Sequence, residues 1–425
     1  MSNKKDKENK KKLILVVIDG LGDGPVPLLR NKTPLEVSKK PNLNWFAKHG
    51  SCGIMYTVKE GIAPESDVAV LALLGYDPYK YSTGRGPLEA HGAGIKISEG
   101  DLVLRTNFAT LKGKKVLERR AGRTLTTKEA KALSADINKH IRLGFPFSFI
   151  PTVQHRGLLI VRGSFSDNIT NTDPGYEKWG TFGIARKIQK DEVLNAEPLD
   201  DDETTDLSAD IVNSFVLQSH MLLQRHPLNE YRIKHGLLPA DAILTRDAGI
   251  KVPELPKLRE KWLAIVSMPL EIGIAKLAGM DVKTFEYPEQ KIKKVYETLY
   301  LGLAAELELA KATIKKEWTK YDCFYVHIKE TDVPGHDGLA AEKKKMIEYV
   351  DKKFISWLRD LDAVICVTAD HSTPCTLKVH SADPVPVLIY GKKIPKGVKL
   401  SDWNEKSCRK GFKIKGTALL QLLRK

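Results

Sequence analysis

Leu361-Asp362-Ala363-Val364-Ile365-Cys366-Val367 is an apolar run that leads, past Thr368 and Ala369, into Asp370-His371. His380 follows, just ahead of a second apolar run at residues 385–389. A strand that ends in Asp-His, with another His close behind, presents metal ligands at the edge of a sheet. The same pattern recurs twice upstream. Residues 321–328 read as a strand that delivers Asp332 and His336 beyond its end, and residues 12–18 as a strand that delivers Asp19. Open α/β sheets bind ligands at the carboxyl ends of their strands. Three strands ending in carboxylates and imidazoles therefore predict a metal-dependent enzyme, with donors suited to Mn²⁺, Zn²⁺ or Mg²⁺.

Around these strands, apolar runs alternate with helix signals. Thr33-Pro34-Leu35-Glu36 reads as a helix start with Pro at its first position, and residues 41–48 as a short helix ending at Gly50. Residues 66–74 are helical by pattern, with Val68, Leu71 and Leu74 on one face, opening at Ser66-Asp67 and closing at Gly75. Strand–helix alternation implies an α/β layered core with a mostly parallel sheet. The middle of the chain changes character. Residues 102–104 and 106–111 read as strands with a turn at 112–114, residues 126–138 as a helix opened by a Thr-x-x-Glu capping box, and residues 158–161 as a strand. The acidic run 200–203 leads into a helix that includes residues 217–223. From residue 263 the alternation returns. The layout is a basic arm at 1–12, a core from 13–86 and 259–425, and an inserted, smaller α/β domain at 87–258.

A chain of 425 residues, 42% apolar, has room for two substantial domains. No apolar run reaches the roughly 20 residues that a membrane span needs, and no apolar signal region follows the basic N-terminus. The five cysteines are scattered, odd in number and without a CxxC pair, which fits a reduced, cytoplasmic setting. The net charge of +15 is concentrated at the ends. Residues 1–12 carry six Lys against one Asp and one Glu, for +4, and residues 391–425 carry +9, leaving the body at +2. The arm reads as a disordered, solubilising tail. Without interleaved aromatics the charge does not point to nucleic acid.

Asp332 and His336, four residues apart, share a face if a helical turn follows their strand. Asp370 and His371 are adjacent, so a loop is needed for both to serve one metal or two neighbouring ones. Ser66 is the candidate nucleophile. It opens a helix, where backbone N–H groups and the dipole favour an anion, and a metal that lowered its hydroxyl pKa would let it accept a phosphoryl group. The plainer reading is an N-cap serine.

Several segments stand in an order that resembles a known family. They are Ile18-Asp19-Gly20-Leu21-Gly22-Asp23, Thr33-Pro34-Leu35-Glu36, Ser66-Asp67, Gly75-Tyr76-Asp77-Pro78, Gly84-Arg85-Gly86-Pro87-Leu88-Glu89-Ala90, Asn107-Phe108-Ala109-Thr110, Asp370-His371-Ser372-Thr373-Pro374-Cys375 and His380-Ser381-Ala382-Asp383-Pro384-Val385-Pro386-Val387. Together they resemble the archaeal-type, 2,3-bisphosphoglycerate-independent phosphoglycerate mutases of the alkaline phosphatase superfamily, over nearly the whole chain from Leu13. The resemblance implies an alkaline-phosphatase-like core and two divalent metal ions, Mn²⁺ before Zn²⁺, Mg²⁺ or Co²⁺, with no 2,3-bisphosphoglycerate. Asp19, Ser66, Asp370 and His371 would hold one ion, and Asp332, His336 and His380 the other. The implied reaction is glycolytic and gluconeogenic. It interconverts 3- and 2-phosphoglycerate through a phosphoserine on Ser66, with the glycerate re-orienting while bound. Arg123, His155, Arg156 and Arg246, in segments that resemble motifs of this family, are the expected substrate contacts, since Arg pairs well with carboxylate and phosphate. Asp173 is the expected acid or base on a substrate hydroxyl, and Lys329 the expected phosphate neutraliser. The expected partner is the small-molecule substrate, with no nucleic acid and no membrane; a homo-oligomer is left open.

The chain departs from the family pattern at Glu65, where a small residue is usual, and at Val70, where Asn or His is common. It departs again at Val333-Pro334 and at residues 283–288. A carboxylate at position 65 is expected to repel phosphate or compete for metal. Two further readings stay open: a phosphatase or other phosphomutase on the same core, and a catalytically weak relative with a binding role. A dinucleotide reading of Gly20-Leu21-Gly22-Asp23-Gly24 fails, because the spacing is not GxGxxG.

Overall fold

The computed structural model describes residues 11–186, 190–288 and 294–424. Most of the basic arm, residues 1–10, lies outside them. Two sheets organise the chain. The larger one uses β1 (Lys12–Ile18), β2 (Ser51–Tyr56), β10 (Trp262–Ile265), β11 (Asp281–Lys283), β12 (Cys323–Ile328), β13 (Ala363–Thr368), β14 (Val385–Tyr390) and β15 (Phe412–Lys415). Its order is β11-β10-β12-β1-β13-β14-β2-β15. The smaller sheet uses β3 (Leu102–Lys112), β4 (Lys115–Glu118), β5 (Phe147–Pro151), β6 (Arg156–Val161) and β9 (Ala242–Gly249), and every pairing in it is antiparallel. A separate hairpin pairs β7 (Tyr176–Trp179) with β8 (Phe182–Ala185).

The mostly parallel α/β sheet read from the sequence is present. β1 pairs in parallel with both β12 and β13, and the three are almost wholly buried. Burial on both faces explains why they read as unbroken apolar runs. Only β14 runs against its neighbours β13 and β2. This direction matters for the site. β1, β12 and β13 end at one edge of the sheet, β14 starts there, and Met55 near the end of β2 pairs with Val385. Five chain segments are thus delivered to one edge. The strand β2 carries no β-branched run and escapes sequence reading. The middle of the chain differs in detail: 102–112 is one continuous strand, and the helix after the acidic run spans Glu203–Leu223. The capping box at Thr126 forms, and another forms at Thr33.

Each sheet has its own apolar core. The helix Arg85–Gly92 joins them, touching β3 and β9 on one side and the helix Pro269–Leu277 on the other. Gly92 permits that approach, since a Cβ there would lie 1.7 Å from the carbonyl oxygen of Pro269. The loops after β1 and β13 are fastened by a buried cation. Lys343 Nζ donates to Asp23 Oδ2 at 2.8 Å, to the Gly22 carbonyl at 3.0 Å and to the Thr373 carbonyl at 2.9 Å. Asp23 also accepts from the Cys375 N–H at 3.1 Å. Beside it, Glu405 accepts from the Asp23 N–H at 3.1 Å and from Thr33 Oγ1 at 2.8 Å.

Two stability predictions arise here. Lys343→Met leaves the Asp23 carboxylate buried without its cation, and is expected to lose about 3–5 kcal/mol in urea unfolding. Burial pushes the Glu405 carboxyl up to about 7, against its hydrogen bonds. A carboxyl raised in the folded state stabilises below its unfolded pKa and loses that contribution as pH rises through about 7. Relative to Glu405→Gln, the unmodified protein should lose on the order of 3 kcal/mol between pH 4.5 and pH 8, read from urea midpoints at both pH values.

Candidate active site

The level register of the central strands brings the predicted ligands together. Ile18 pairs with Ile328, so Asp19 and the turn after β12 leave the sheet side by side. Thr331 Oγ1 donates to the Asp19 carbonyl at 2.6 Å, and Thr57 Oγ1 donates to the Asp370 carbonyl at 2.6 Å. Asp332 and His336 share one face of the short helix Asp332–Asp337, with His336 Nε2 3.2 Å from Asp332 Oδ2. His371 Nε2 lies 3.1 Å from Asp370 Oδ2 and 3.5 Å from Asp19 Oδ1. The rings of His371 and His380 stack at 3.6 Å between centroids.

Hydrogen bonds set the imidazole tautomers. His336 Nδ1 donates to the Lys378 carbonyl at 2.9 Å, and His380 Nδ1 to the Pro64 carbonyl at 2.9 Å. His371 Nδ1 donates at 3.1 Å to Thr373 Oγ1, whose own proton goes to Asp332 Oδ1 at 2.7 Å. All three rings therefore turn Nε2 towards the carboxylates, the orientation that metal-ligating histidines adopt. Asp19 Oδ1 and Asp370 Oδ2 are buried with no hydrogen-bond partner, a costly arrangement unless a cation completes it. Asp332, His336 and His380 offer ligand atoms within 4.8 Å of one another, and so do Asp19, Asp332 and His371. The residues fit divalent metal ions.

Ser66 is the first residue of the helix Ser66–Leu73, and Glu65 is its N-cap. Its hydroxyl does not cap the helix; Oγ lies 3.2 Å from His371 Nε2. The N-cap reading of Ser66 is thereby replaced by one in which Oγ faces the ligand cluster. Lys329 lines the same cavity as Ser66. Its ammonium contacts the Asp19 carboxylate and lies 3.1 Å from Glu271 Oε1, where the acidic groups outweigh burial and raise its pKa. Sequence reading missed His327, whose Nε2 is 3.1 Å from Asp19 Oδ2 and whose Nδ1 meets the Tyr325 hydroxyl at 2.6 Å. The available signal was an imidazole inside a buried strand.

The cations of the smaller sheet's layer close over this floor. Arg123, His155, Arg156 and Arg246 line the cavity above Ser66, together with Arg85, Arg105 and Arg120, which the sequence reading did not single out. Arg120 and Arg156 have no ion pair among the described residues. Burial and the like charges of Arg105 and Arg123 push Arg156 down to about 9, a penalty that a bound anion relieves. Burial, then Arg156 and Arg123, hold His155 neutral, well below its usual range. Arg123 crosses to Asp337 Oδ1 at 3.1 Å. Arg246 stacks on Tyr176, 3.7 Å from the ring centroid, and pairs with Glu65 Oε2 at 2.7 Å.

Asp173 and Glu65 have partners that the sequence does not show. Asp173 is not among the residues that line the cavity. It pairs with Arg119 at 2.6 Å, which outweighs burial and holds its carboxyl below the usual range. A carboxylate so paired is a poor proton donor, which counts against the acid half of its expected acid-or-base role and not against the base half. Glu65 does not stand free to repel phosphate, because Arg246, Arg85 and His380 surround it. Val70 is fully buried in the core of the larger sheet.

The profile of one family, 2,3-bisphosphoglycerate-independent phosphoglycerate mutase, matches residues 47–229. The chain is 38% identical over 418 residues to the protein of that name from Aeropyrum pernix, covering 94% of this chain and 95% of the relative. It is 39% identical to the one from Methanosphaera stadtmanae, covering 97% of each. Among solved structures, the cofactor-independent phosphoglycerate mutase of Thermoplasma acidophilum aligns with a TM-score of 0.53 at 31% identity, over 97% of this chain and 99% of that one. The PH0037 protein of Pyrococcus horikoshii aligns with a TM-score of 0.71 at 27% identity, over 97% and 96%. Fold, site and relatives together define an isomerase of the intramolecular phosphotransferase class, built to take divalent metal ions. Within that class, the chain belongs to the 2,3-bisphosphoglycerate-independent phosphoglycerate mutases.

The turn after β1 yields a prediction. Gly20 has φ +60°, and a Cβ there would lie 2.5 Å from Asp332 Oδ1 and 2.7 Å from Thr373 Oγ1. Gly20→Ala should displace Asp332 and lower kcat by about 10–100-fold at a saturating concentration of the activating divalent ion. It should also lower stability by about 1–3 kcal/mol, read by thermal unfolding.

Proposed function

We propose that this protein interconverts 3-phosphoglycerate and 2-phosphoglycerate through a phosphoserine on Ser66. The observation that carries the reading is the position of Ser66 Oγ, 3.2 Å from His371 Nε2, beneath a roof of arginines of which two, Arg120 and Arg156, have no ion pair among the described residues. Two divalent ions, held by Asp19, Ser66, Asp370 and His371 and by Asp332, His336 and His380, would lower the serine pKa and neutralise phosphoryl oxygens. The carboxylate and imidazole donors suit Mn²⁺, Zn²⁺ and Mg²⁺, and of these we favour manganese on the family resemblance.

Ser66 gives up its proton and attacks phosphorus, and the departing glycerate hydroxyl gains a proton. The N-terminus of the helix Ser66–Leu73 adds backbone N–H groups that favour the phosphate charge. Arg120, Arg123 and Arg156 hold the glycerate carboxylate while the molecule turns, and its other hydroxyl then takes the phosphoryl group back. Segment 87–258 acts as the substrate-binding domain in this scheme. The Arg123–Asp337 and Arg246–Glu65 pairs fasten the two layers together over the site. A closed roof that excludes water favours return of the phosphoryl group to glycerate over hydrolysis. The five buried, unpaired cysteines favour a cytoplasmic setting, and no helix among the described residues is long and apolar enough to cross a membrane.

A coupled enolase assay on 3-phosphoglycerate, with Mn²⁺ and without 2,3-bisphosphoglycerate, tests the reading while free phosphate is followed in parallel. Isomer without phosphate release is the expected result, and phosphate without isomer would reassign the chain as a phosphatase. Ser66→Ala should lower turnover by about 10⁴-fold or more with the fold intact; unchanged turnover would remove Ser66 from the reaction.

A further inference from the structure

Glu65 is the residue immediately before the candidate nucleophile, and its side chain is 1% exposed. A carboxylate buried that deeply needs partners, and here they come from three directions. Oε2 takes Arg246 Nη1 at 2.7 Å and Arg85 Nη1 at 3.4 Å. Oε1 lies 3.1 Å from His380 Nδ1, close enough for its charge to act on the ring although the geometry is not that of a hydrogen bond. The same Nδ1 donates to the carbonyl of Pro64, one residue earlier. The segment leading into Ser66 therefore grips the outward edge of His380 twice, through a carbonyl and through a negative charge. The inward edge, Nε2, faces Asp332 Oδ1 at 4.0 Å. Among the three converging imidazoles only His380 has a carboxylate behind it: His336 rests on the Lys378 carbonyl and His371 on the Thr373 hydroxyl.

A carboxylate behind a ligating imidazole fixes the ring, holds the proton on the far nitrogen and raises the basicity of the near one. We propose that Glu65 is a positioning residue for the metal ion held by Asp332, His336 and His380: its charge orients His380 and strengthens that ion's hold, while Arg246 anchors the carboxylate from the opposite layer. The inference rests on the reading of those three residues as metal ligands. It makes the ion nearest His380 sensitive to whether the layer carrying Arg246 is closed on the core. Glu65 is the N-cap of the helix Ser66–Leu73, and His380 lies in the loop before β14, whose first residue Val385 is the sheet partner of Met55.

The test is Mn²⁺ binding by electron paramagnetic resonance on the full-length, metal-stripped protein, for the unmodified chain, Glu65→Gln, Glu65→Asp and His380→Ala. Near-UV circular dichroism confirms that each variant is folded. The unmodified chain should bind two ions and His380→Ala should lose one. In Glu65→Gln one ion should weaken by about 10–100-fold while the other is unmoved. Glu65→Asp keeps the charge one methylene further away and should recover part of the loss; it carries the test if Glu65→Gln does not fold. Two ions bound by Glu65→Gln as tightly as by the unmodified chain would overturn the proposal, and equal weakening of both would reduce Glu65 to a structural role. Two ions bound by His380→Ala would instead overturn the metal-site reading beneath it.

Discussion

Asp19 and Asp370 leave adjacent parallel strands at the same level, and each buries a carboxylate oxygen with no hydrogen-bond partner. Asp332 joins them from the next strand. Negative charges packed this closely in a dry edge repel one another unless cations stand among them. Much of the surrounding structure answers that demand. Lys329 reaches in beside Asp19, three imidazoles turn their Nε2 atoms inward, and Lys343 binds the loops from behind. Burial works against charge on His380, yet Glu65 and Asp332 push its pKa up to about 10. The same acids that draw a proton onto that ring would draw a divalent cation between the rings.

The opposite imbalance lies above the site. Arg85 and Arg105 are matched by Glu89, at 2.6 Å each, whereas Arg120 and Arg156 are unmatched among the described residues. The cavity thus has an acidic floor suited to cations and a basic roof suited to an anionic substrate. Glu65 stands at the seam and belongs to both. Its pairs with Arg246 and His380 run from the smaller sheet, through the residue before the candidate nucleophile Ser66, to the cluster of candidate metal ligands. Catalysis by electrostatic preorganisation asks for this kind of fixed charge in a closed space.

Much of the fold was legible. β1, β12 and β13 are buried on both faces, so their apolar runs stand out and each leads to a candidate ligand. The i, i+4 spacing of Asp332 and His336 predicts the shared helical face that the structure has. What was not legible depends on contacts across long distances in sequence. His327 looks like one polar residue in a strand until β1 brings Asp19 beside it. Asp173 looks like a free carboxylate until Arg119, 54 residues away, takes it. Glu65 looks like an obstacle to phosphate until Arg246, 181 residues away, neutralises it.

The sequence by itself determined which residue types reach the strand ends, and with them the α/β class and the metal chemistry. Local pattern is enough for this, because hydrophobic periodicity and strand ends are properties of neighbouring residues. Only the tertiary structure decided direction and pairing. β14 runs antiparallel, and that reversal alone brings His380, which precedes its strand, to the edge where Asp370, which follows its own, also lies. The arginines collect over the cavity because the smaller sheet folds back over the core through the helix Arg85–Gly92. Charges separated by hundreds of residues acquire an interaction only when the chain brings them within a few ångströms in a medium that screens them poorly.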